Sequence, residues 1–358
     1  MDRPPLPWSE ALATLDRFDA IIDVRSPGEF AIDHIPGAIN APVLDDAQRA
    51  EIGTLHKQSS AFDARRRGAA LVAANIGLHL ERQFADKPRD WRPLVYCWRG
   101  GQRSGALATV MARVGWPVAR LDGGYQAYRR GVLADLATLP DRFTLRVICG
   151  TTGSGKSRLL SHLQDAGAQV LDLERLANHR GSVLGAVPQS PQPSQKLFES
   201  RIWSALRSFD RELPVFVESE SRKVGNLRVP DALIGQMRAA DCIVLDLPRT
   251  ERVRLLREEY LHFEQTPQAL HAQLDCLAAL HGRTTIDEWK ALADAGNWDR
   301  LVDRLLAEHY DPAYHRSIAR NFSRIGTAHH VQALNPGSQA FQGIARALTG
   351  EHLEDRRT

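Results

Sequence analysis

Eight residues constrain this chain more than any others: Gly150-Thr151-Thr152-Gly153-Ser154-Gly155-Lys156-Ser157. They match G-x-x-x-x-G-K-[ST] in full, after an apolar run at 145–149 and before a helical run at 156–166 that Gly167 ends. Strand, glycine-rich loop and helix in that order wrap backbone amides around phosphate oxygens and aim a helix N-terminus at them. Lys156 adds a point charge for the outer phosphate, and Ser157 is the residue type that holds Mg²⁺ there. A polyphosphate ligand is therefore expected. Nucleotide hydrolysis does not follow, because a hydrolase adds an acid at a neighbouring strand end. Val215-Phe216-Val217-Glu218-Ser219-Glu220 offers Glu218 or Glu220 there, and no Asp. Arg249, Arg252 and Arg254 follow an apolar run at 242–247, where lid arginines could close over phosphates; a solvated helix face explains them equally well.

The 358 residues suit two or three domains, and 43% hydrophobic with 25% charged residues excludes a wholly disordered chain. The formal net charge of +3 does not announce a nucleic-acid binder. Only six of the 46 basic residues are lysines, however, and Arg is the better fork for phosphate and RNA, although a GC-rich genome also enriches Arg. No apolar run approaches the ~18–20 residues of a membrane span. The first ten residues carry Asp2, Arg3 and three prolines with no apolar stretch after them, which predicts no signal peptide. Cys97, Cys149, Cys242 and Cys276 form no Cys-x-x-Cys pair, so a zinc knuckle is not expected and a reducing cytoplasm is.

Apolar runs at 20–24, 94–96 and 117–121 alternate with helical stretches at 103–114 and 125–139, the pattern of a parallel sheet with crossovers. A long helical insert at 42–93 carries Arg65-Arg66-Arg67, which reads first as a solvated face. After Pro140 a second alternating unit begins, with strands at 145–149, 169–171, 214–217 and 242–247 and a polar loop at 188–195. From Thr250 onward the text is helical, and Thr285-Ile286-Asp287-Glu288 reads as a capping box that starts a helix. The expected class is α/β in three parts: a parallel-sheet domain at 1–139 with a helical insert, a phosphate-loop domain at 140–250, and a helical region at 251–358 that completes or packs on it.

A second constellation lies in the first part. Cys97-Trp98-Arg99-Gly100-Gly101-Gln102-Arg103-Ser104 follows a strand and opens a helix. Amides and the helix dipole converge on such a loop, so a cysteine at its start is expected as a thiolate. Gly100 and Gly101 let the backbone wrap tightly because they tolerate positive φ, and Arg99 and Arg103 add charge for an anion. Together with Asp23-Val24-Arg25-Ser26-Pro27-Gly28-Glu29-Phe30, His34-Ile35-Pro36-Gly37-Ala38-Ile39-Asn40 and Leu121-Asp122-Gly123-Gly124-Tyr125, this loop resembles rhodanese domains over residues 10 to 138. The Cys-x5-Arg spacing followed by Ser104 is also that of cysteine phosphatases, and it makes a cradle wide enough for a phosphate-shaped anion.

A rhodanese-like part fused to a phosphate loop resembles the tRNA 2-selenouridine synthases across essentially the whole chain. Further stretches carry that resemblance: Gly53-Thr54-Leu55-His56-Lys57-Gln58, Leu173-Glu174, Ala177-Asn178-His179-Arg180-Gly181-Ser182, Pro191-Gln192-Pro193-Ser194-Gln195-Lys196, and Val217-Glu218 through Ser221-Arg222. At Ser219 the family more often carries Asp. The resemblance implies a cytoplasmic transferase, without a membrane partner, acting on the wobble uridine in the anticodon loop of tRNAs for Lys, Glu and Gln. It implies S-geranylation of 2-thiouridine by geranyl diphosphate, then exchange of the geranylthio group for selenium from selenophosphate. It makes Cys97 the catalytic selenium carrier as an S-selanylcysteine, with residues 98–104 as the selenophosphate cradle and 150–157 as the diphosphate site. Glu218, Arg222, Arg249 and Arg252 are supporting candidates, and Mg²⁺ on Ser157 is the candidate metal. Other readings stay open: a rhodanese-type sulfurtransferase or a cysteine phosphatase fused to an ATP-using phosphate-loop kinase.

Overall fold

Two glycine-rich loops, each leaving the C-terminal end of a parallel strand, set the geography of the molecule. The computed structural model describes residues 4–58, 60–99, 101–182, 184–188 and 190–354. Contacts divide the chain into two compact units, Met1–Asp135 with Glu199–Ser204, and Leu136–Phe198 with Ala205–Thr358.

In the first unit, β1 (Ala20–Asp23), β2 (Ile39–Asn40), β3 (Pro93–Tyr96) and β4 (Ala119–Arg120) form a parallel sheet in the order β2-β1-β3-β4. The β3 strand is buried at every position, as a central parallel strand covered on both faces must be. Its Val95 packs with Ile22, Val24, Leu107 and Met111 in one core. Helices Asp46–Gln58 and Ala61–Arg82 form the insert; Ser60 caps the second by accepting hydrogen bonds from the amides of Phe62 and Asp63. The arginine cluster of the insert is largely spent on its own surface, with Arg66 paired to Asp63 and Arg67 to Glu51.

The rhodanese-like signature residues turn out to be scaffolding beneath the cysteine loop. Arg25 is fully buried, holds Asp23 with Nε and Nη2, and donates to the Asp33 carbonyl at 2.6 Å. Its guanidinium lies 4.0 Å from the Tyr125 ring centroid, and the Tyr125 hydroxyl donates to Asp33 at 2.8 Å. Three separated stretches of sequence, at 23–25, 33 and 125, are thus tied to one buried cation.

In the second unit, β5 (Leu145–Cys149), β6 (Gln169–Leu171), β7 (Val215–Glu218), β10 (Asp241–Asp246) and β11 (His329–Gln332) form a parallel sheet in the order β11-β10-β5-β7-β6, while β8 (Lys223–Val224) and β9 (Leu227–Arg228) make a small hairpin. Ile148, Leu159, Phe216, Ile243, Leu245 and Phe341 are among its core residues. The region after Thr250 is helical as expected, but it also contributes β11, which pairs with β10 from Ile243↔His329 to Asp246↔Gln332. That strand escapes notice because it is short and mostly polar, an edge strand with His329, His330 and Gln332 exposed. The expected capping box is also displaced: the helix runs Arg283–Asp294 with Gly282 before it, so Thr285 already lies inside its first turn. Leu270, Leu274, Ile286, Trp289, Leu301 and Leu305 close a separate helical core.

Candidate functional site

Cys97 directly follows β3, and the helix Gln102–Val114 begins five residues later. The sulfur is buried, with 4% of the residue exposed, and the Ser104 hydroxyl donates to it at 3.3 Å. Burial disfavours the thiolate, but hydrogen bonds from the Ser104 hydroxyl and from the amides of Ser104, Gly101 and Arg99 outweigh it and lower the Cys97 pKa. Gly101 takes φ −118° and so does not use the positive φ that a glycine tolerates; Gly100 lies outside the described residues. Arg103 is not left facing an anion alone, because its Nη1 donates to Glu29 at 2.8 Å. Burial works against the Glu29 carboxylate, yet Arg103 holds it below its usual range. Arg99 and Gln102 are exposed, and Trp98, 39% exposed, stacks on Tyr125 at 5.3 Å between centroids. Replacing Ser104 with Ala is expected to shift alkylation of Cys97 by iodoacetamide, followed by peptide mass spectrometry, to higher pH. The thiolate then loses a donor while its burial persists; an unchanged midpoint would remove Ser104 from the cradle.

The phosphate loop leaves β5, the middle strand of its sheet, where ligands of open α/β folds gather. Gly153 and Gly155 take φ of 78° and 86°, conformations that side chains rarely adopt. Lys156 opens the helix Lys156–Asp165 and donates to the Gly150 carbonyl at 2.8 Å. The Gly150 amide in turn donates to the Tyr314 hydroxyl at 2.6 Å, and the Lys156 ammonium lies 5.9 Å from the Tyr314 ring. Ser157 donates to Glu174 at 3.0 Å.

Acids converge on this loop from two neighbouring strand ends. Glu218, the last residue of β7, is buried and accepts the Glu174 amide at 2.7 Å with one oxygen; the other has no partner among the described residues. Burial, then the charges of Asp172, Glu174 and Glu220, push the Glu218 pKa well up. Burial and the Glu174 charge push Glu220 up to about 8. Gly181, at φ 68°, is a glycine for a further reason: a Cβ there would collide with the carboxylates of Glu174 and Glu220.

Thr152, Gly153, Gly155, Lys156 and Ser157 wall a cavity of about 760 Å³ together with Glu174, Glu220, Arg180 and Tyr314. A smaller hollow of about 60 Å³, lined by Leu184, Phe263, Leu270, Trp298, Val302 and Leu305 among others, shares Thr152, Leu256, Tyr260 and Tyr310 with it as common walls. One space is charged and the adjoining one is apolar.

A family profile described as the tRNA 2-selenouridine synthase AAA domain matches residues 143–282, and one described as a rhodanese-like domain matches residues 8–130. The chain is 30% identical over 344 residues to the tRNA 2-selenouridine synthase of Sulfurovum sp. (strain NBC37-1), covering 87% of this chain and 93% of that one. It is 31% identical over 350 residues to that of Aeromonas salmonicida (strain A449), covering 89% and 93%. This chain belongs to the tRNA 2-selenouridine synthase family. Membership makes it an enzyme, a transferase, with a rhodanese-like parallel sheet and a phosphate-loop parallel sheet. Among the described residues no helix is long and apolar enough to cross a membrane.

Not every candidate of this family member meets its loop. Arg252 is nearly buried; it holds Asp311 with both Nη atoms and donates from Nε to the Thr152 carbonyl at 2.9 Å, so it props the loop from its backbone side rather than lying on the cavity wall. Arg249 pairs with Asp303 at 2.5 Å and does not line the cavity; the helix Arg249–Glu259 turns it toward Trp298–Leu305 instead. Arg254 is exposed beside Glu251 and Glu258. Arg222 is exposed before the hairpin and is not on the cavity wall either. Tyr314, Tyr260 and the apolar hollow carry no motif, and only the tertiary structure brings them to the loop.

Proposed function

We propose that the chain converts 2-thiouridine at the wobble position of tRNAs for Lys, Glu and Gln to 2-selenouridine through an S-geranyl intermediate, with the phosphate loop binding geranyl diphosphate. The observation that carries this reading is the apolar hollow sharing walls with the phosphate-loop cavity. A ligand with a diphosphate head and a branched hydrocarbon tail suits that pair. At roughly 10–15 Å³ per water-sized group, the hollow's volume of about 60 Å³ suits a single isoprene unit. In the first step the thiocarbonyl sulfur attacks C1 of the geranyl group, the carbon–oxygen bond breaks, and diphosphate leaves with the electron pair. The N3 proton of the base passes to water. Loop amides and Lys156 stabilise the charge that develops on the diphosphate.

Ser157 and Glu174, already in contact at 3.0 Å, fit the protein share of a Mg²⁺ site, since Mg²⁺ commonly takes one or two protein groups and completes its shell with phosphate oxygens and water. Bound there it would neutralise charge on the leaving group. Among the described residues no cluster of three or more His, Cys, Asp or Glu could hold a metal by itself.

In the second step selenium from selenophosphate displaces geranylthiolate at C2. With water the balance is 2-selenouridine, geranylthiol and phosphate, and no net change of oxidation state. The Cys97 thiolate and its amide cradle serve this step, and exposed Trp98 offers a face on which a base can stack. In this reading residues 1–139 serve the selenium step, and residues 140–250 with the helical segment 251–358 serve geranylation.

The test is nucleoside mass spectrometry of 2-thiouridine tRNA after incubation with geranyl diphosphate, then selenophosphate. S-Geranyl-2-thiouridine and then 2-selenouridine are expected in turn. Val302→Phe, which partly fills the hollow, is expected to raise the KM for geranyl diphosphate by ~10-fold while sparing the shorter dimethylallyl diphosphate. ATP turnover at enzymic rates without geranyl transfer would overturn the reading.

A further inference from the structure

Arg180 stands out among the cavity residues because its guanidinium carries a buried nitrogen with no acceptor among the described residues. Its backbone is fixed: the Arg180 amide donates to the Gly185 carbonyl at 2.8 Å, beside the bridge His179↔Ala186. Its guanidinium is fixed as well, with its carbon 4.7 Å from the centroid of the Tyr260 ring, a stacking contact that suits a planar cation. Yet Nη1 is buried and has no hydrogen-bond partner among the described residues, nor does Arg180 form an ion pair there within 4.0 Å. Burying a guanidinium nitrogen without an acceptor is costly, so a fixed and unsatisfied one points to an acceptor brought from outside.

The surroundings say what that acceptor is. The neighbouring carboxylates are already engaged, Glu174 with Ser157 and Glu259 beside Arg158 at 3.8 Å. Arg180 lines the same cavity as Lys156 and Ser157, so the incoming group is a phosphate. The stacking partner Tyr260 walls both the charged cavity and the apolar hollow, which puts the cation where a diphosphate head joins its hydrocarbon tail. Guanidinium groups bind phosphate oxygens through charge-assisted, often paired hydrogen bonds.

We infer that Arg180 is a second cation of the diphosphate site, donating from its buried Nη1 to an oxygen of the prenyl diphosphate. The inference rests on the reading of the phosphate loop proposed above. As the sulfur–carbon bond forms and the carbon–oxygen bond breaks, the electron pair moves onto the diphosphate, and Arg180 meets the charge that Lys156 alone would share with loop amides.

Inorganic diphosphate is titrated calorimetrically into the full-length chain and into its Arg180→Gln and Arg180→Lys variants, with tRNA binding measured in parallel. The wild-type chain is expected to bind diphosphate, Arg180→Gln to bind it roughly 10- to 100-fold more weakly, and Arg180→Lys to fall between them. Geranylation should slow in the same order, while the melting temperature of the free variants stays at or above that of the wild type because an unsatisfied buried donor is gone. Equal diphosphate affinity in wild type and Arg180→Gln overturns the inference, and so does a loss confined to tRNA, which would assign Arg180 to the RNA backbone. A wild-type chain that fails to bind diphosphate overturns the prenyl diphosphate reading and this inference with it.

Discussion

Cys97→Ala protein is expected to stop at S-geranyl-2-thiouridine. The thiolate lies in a cradle of amides and a serine hydroxyl, and among the described residues of that loop no other side chain is a thiol. Removing the thiolate should lower 2-selenouridine formation by roughly 10³-fold or more, the scale seen when an essential catalytic group is deleted. Geranylation should continue at the wild-type rate, because in the proposed reading that step uses the phosphate loop of the other compact unit. The substitution removes one buried sulfur between β3 and the helix Gln102–Val114, so a thermal melt should still show a folded chain. The measurement is the ratio of the two modified nucleosides by mass spectrometry. Undiminished 2-selenouridine would take Cys97 out of the chemistry, and loss of both products from a folded protein would sink the separation of the two steps.

The converse variant should show the converse block. Lys156→Ala is expected to slow geranylation by about 10²- to 10³-fold, the scale of losing one preorganised group at a developing charge. The ammonium donates to the Gly150 carbonyl at 2.8 Å with the Tyr314 ring 5.9 Å away, which keeps it at the mouth of the loop. Lys156→Arg should not rescue the rate, because a planar fork does not replace a compact point charge in a closed loop. Given tRNA already geranylated by the Cys97→Ala protein, Lys156→Ala should still make 2-selenouridine. Normal geranylation by Lys156→Ala would end the assignment of the phosphate loop to the prenyl donor.

Both loops are legible before any fold is known, for one reason. A cradle of backbone amides needs glycines, a charged residue and a nucleophile or hydroxyl at fixed separations along a single stretch of chain. The spacing Gly150 to Ser157 and the run Cys97 to Ser104 carry that demand in the text. Legibility weakens where one sequence serves two conformations: Gly101 is a glycine without a positive φ, and Thr285 to Glu288 spells a capping box inside a helix that has already begun. It weakens further for arginines. Arg249, Arg252 and Arg254 share one helix, yet one pairs with Asp303, one props the loop backbone through Thr152, and one is exposed. Helical periodicity separates the faces of a helix without naming the surface that each face meets.

By itself the sequence determined the two α/β units, the phosphate loop, the cysteine loop and the family they resemble, because each rests on short-range spacing. Tertiary structure decided what surrounds the loops. Glu174 and Glu220 meet over Gly181, Tyr314 reaches Gly150 from 164 residues away, and Tyr260 stands between the charged cavity and the apolar hollow while stacking on Arg180. No local pattern encodes such meetings. They arise when helices bury their apolar faces together, and the polar groups carried on those helices are brought to the ends of the strands as a consequence.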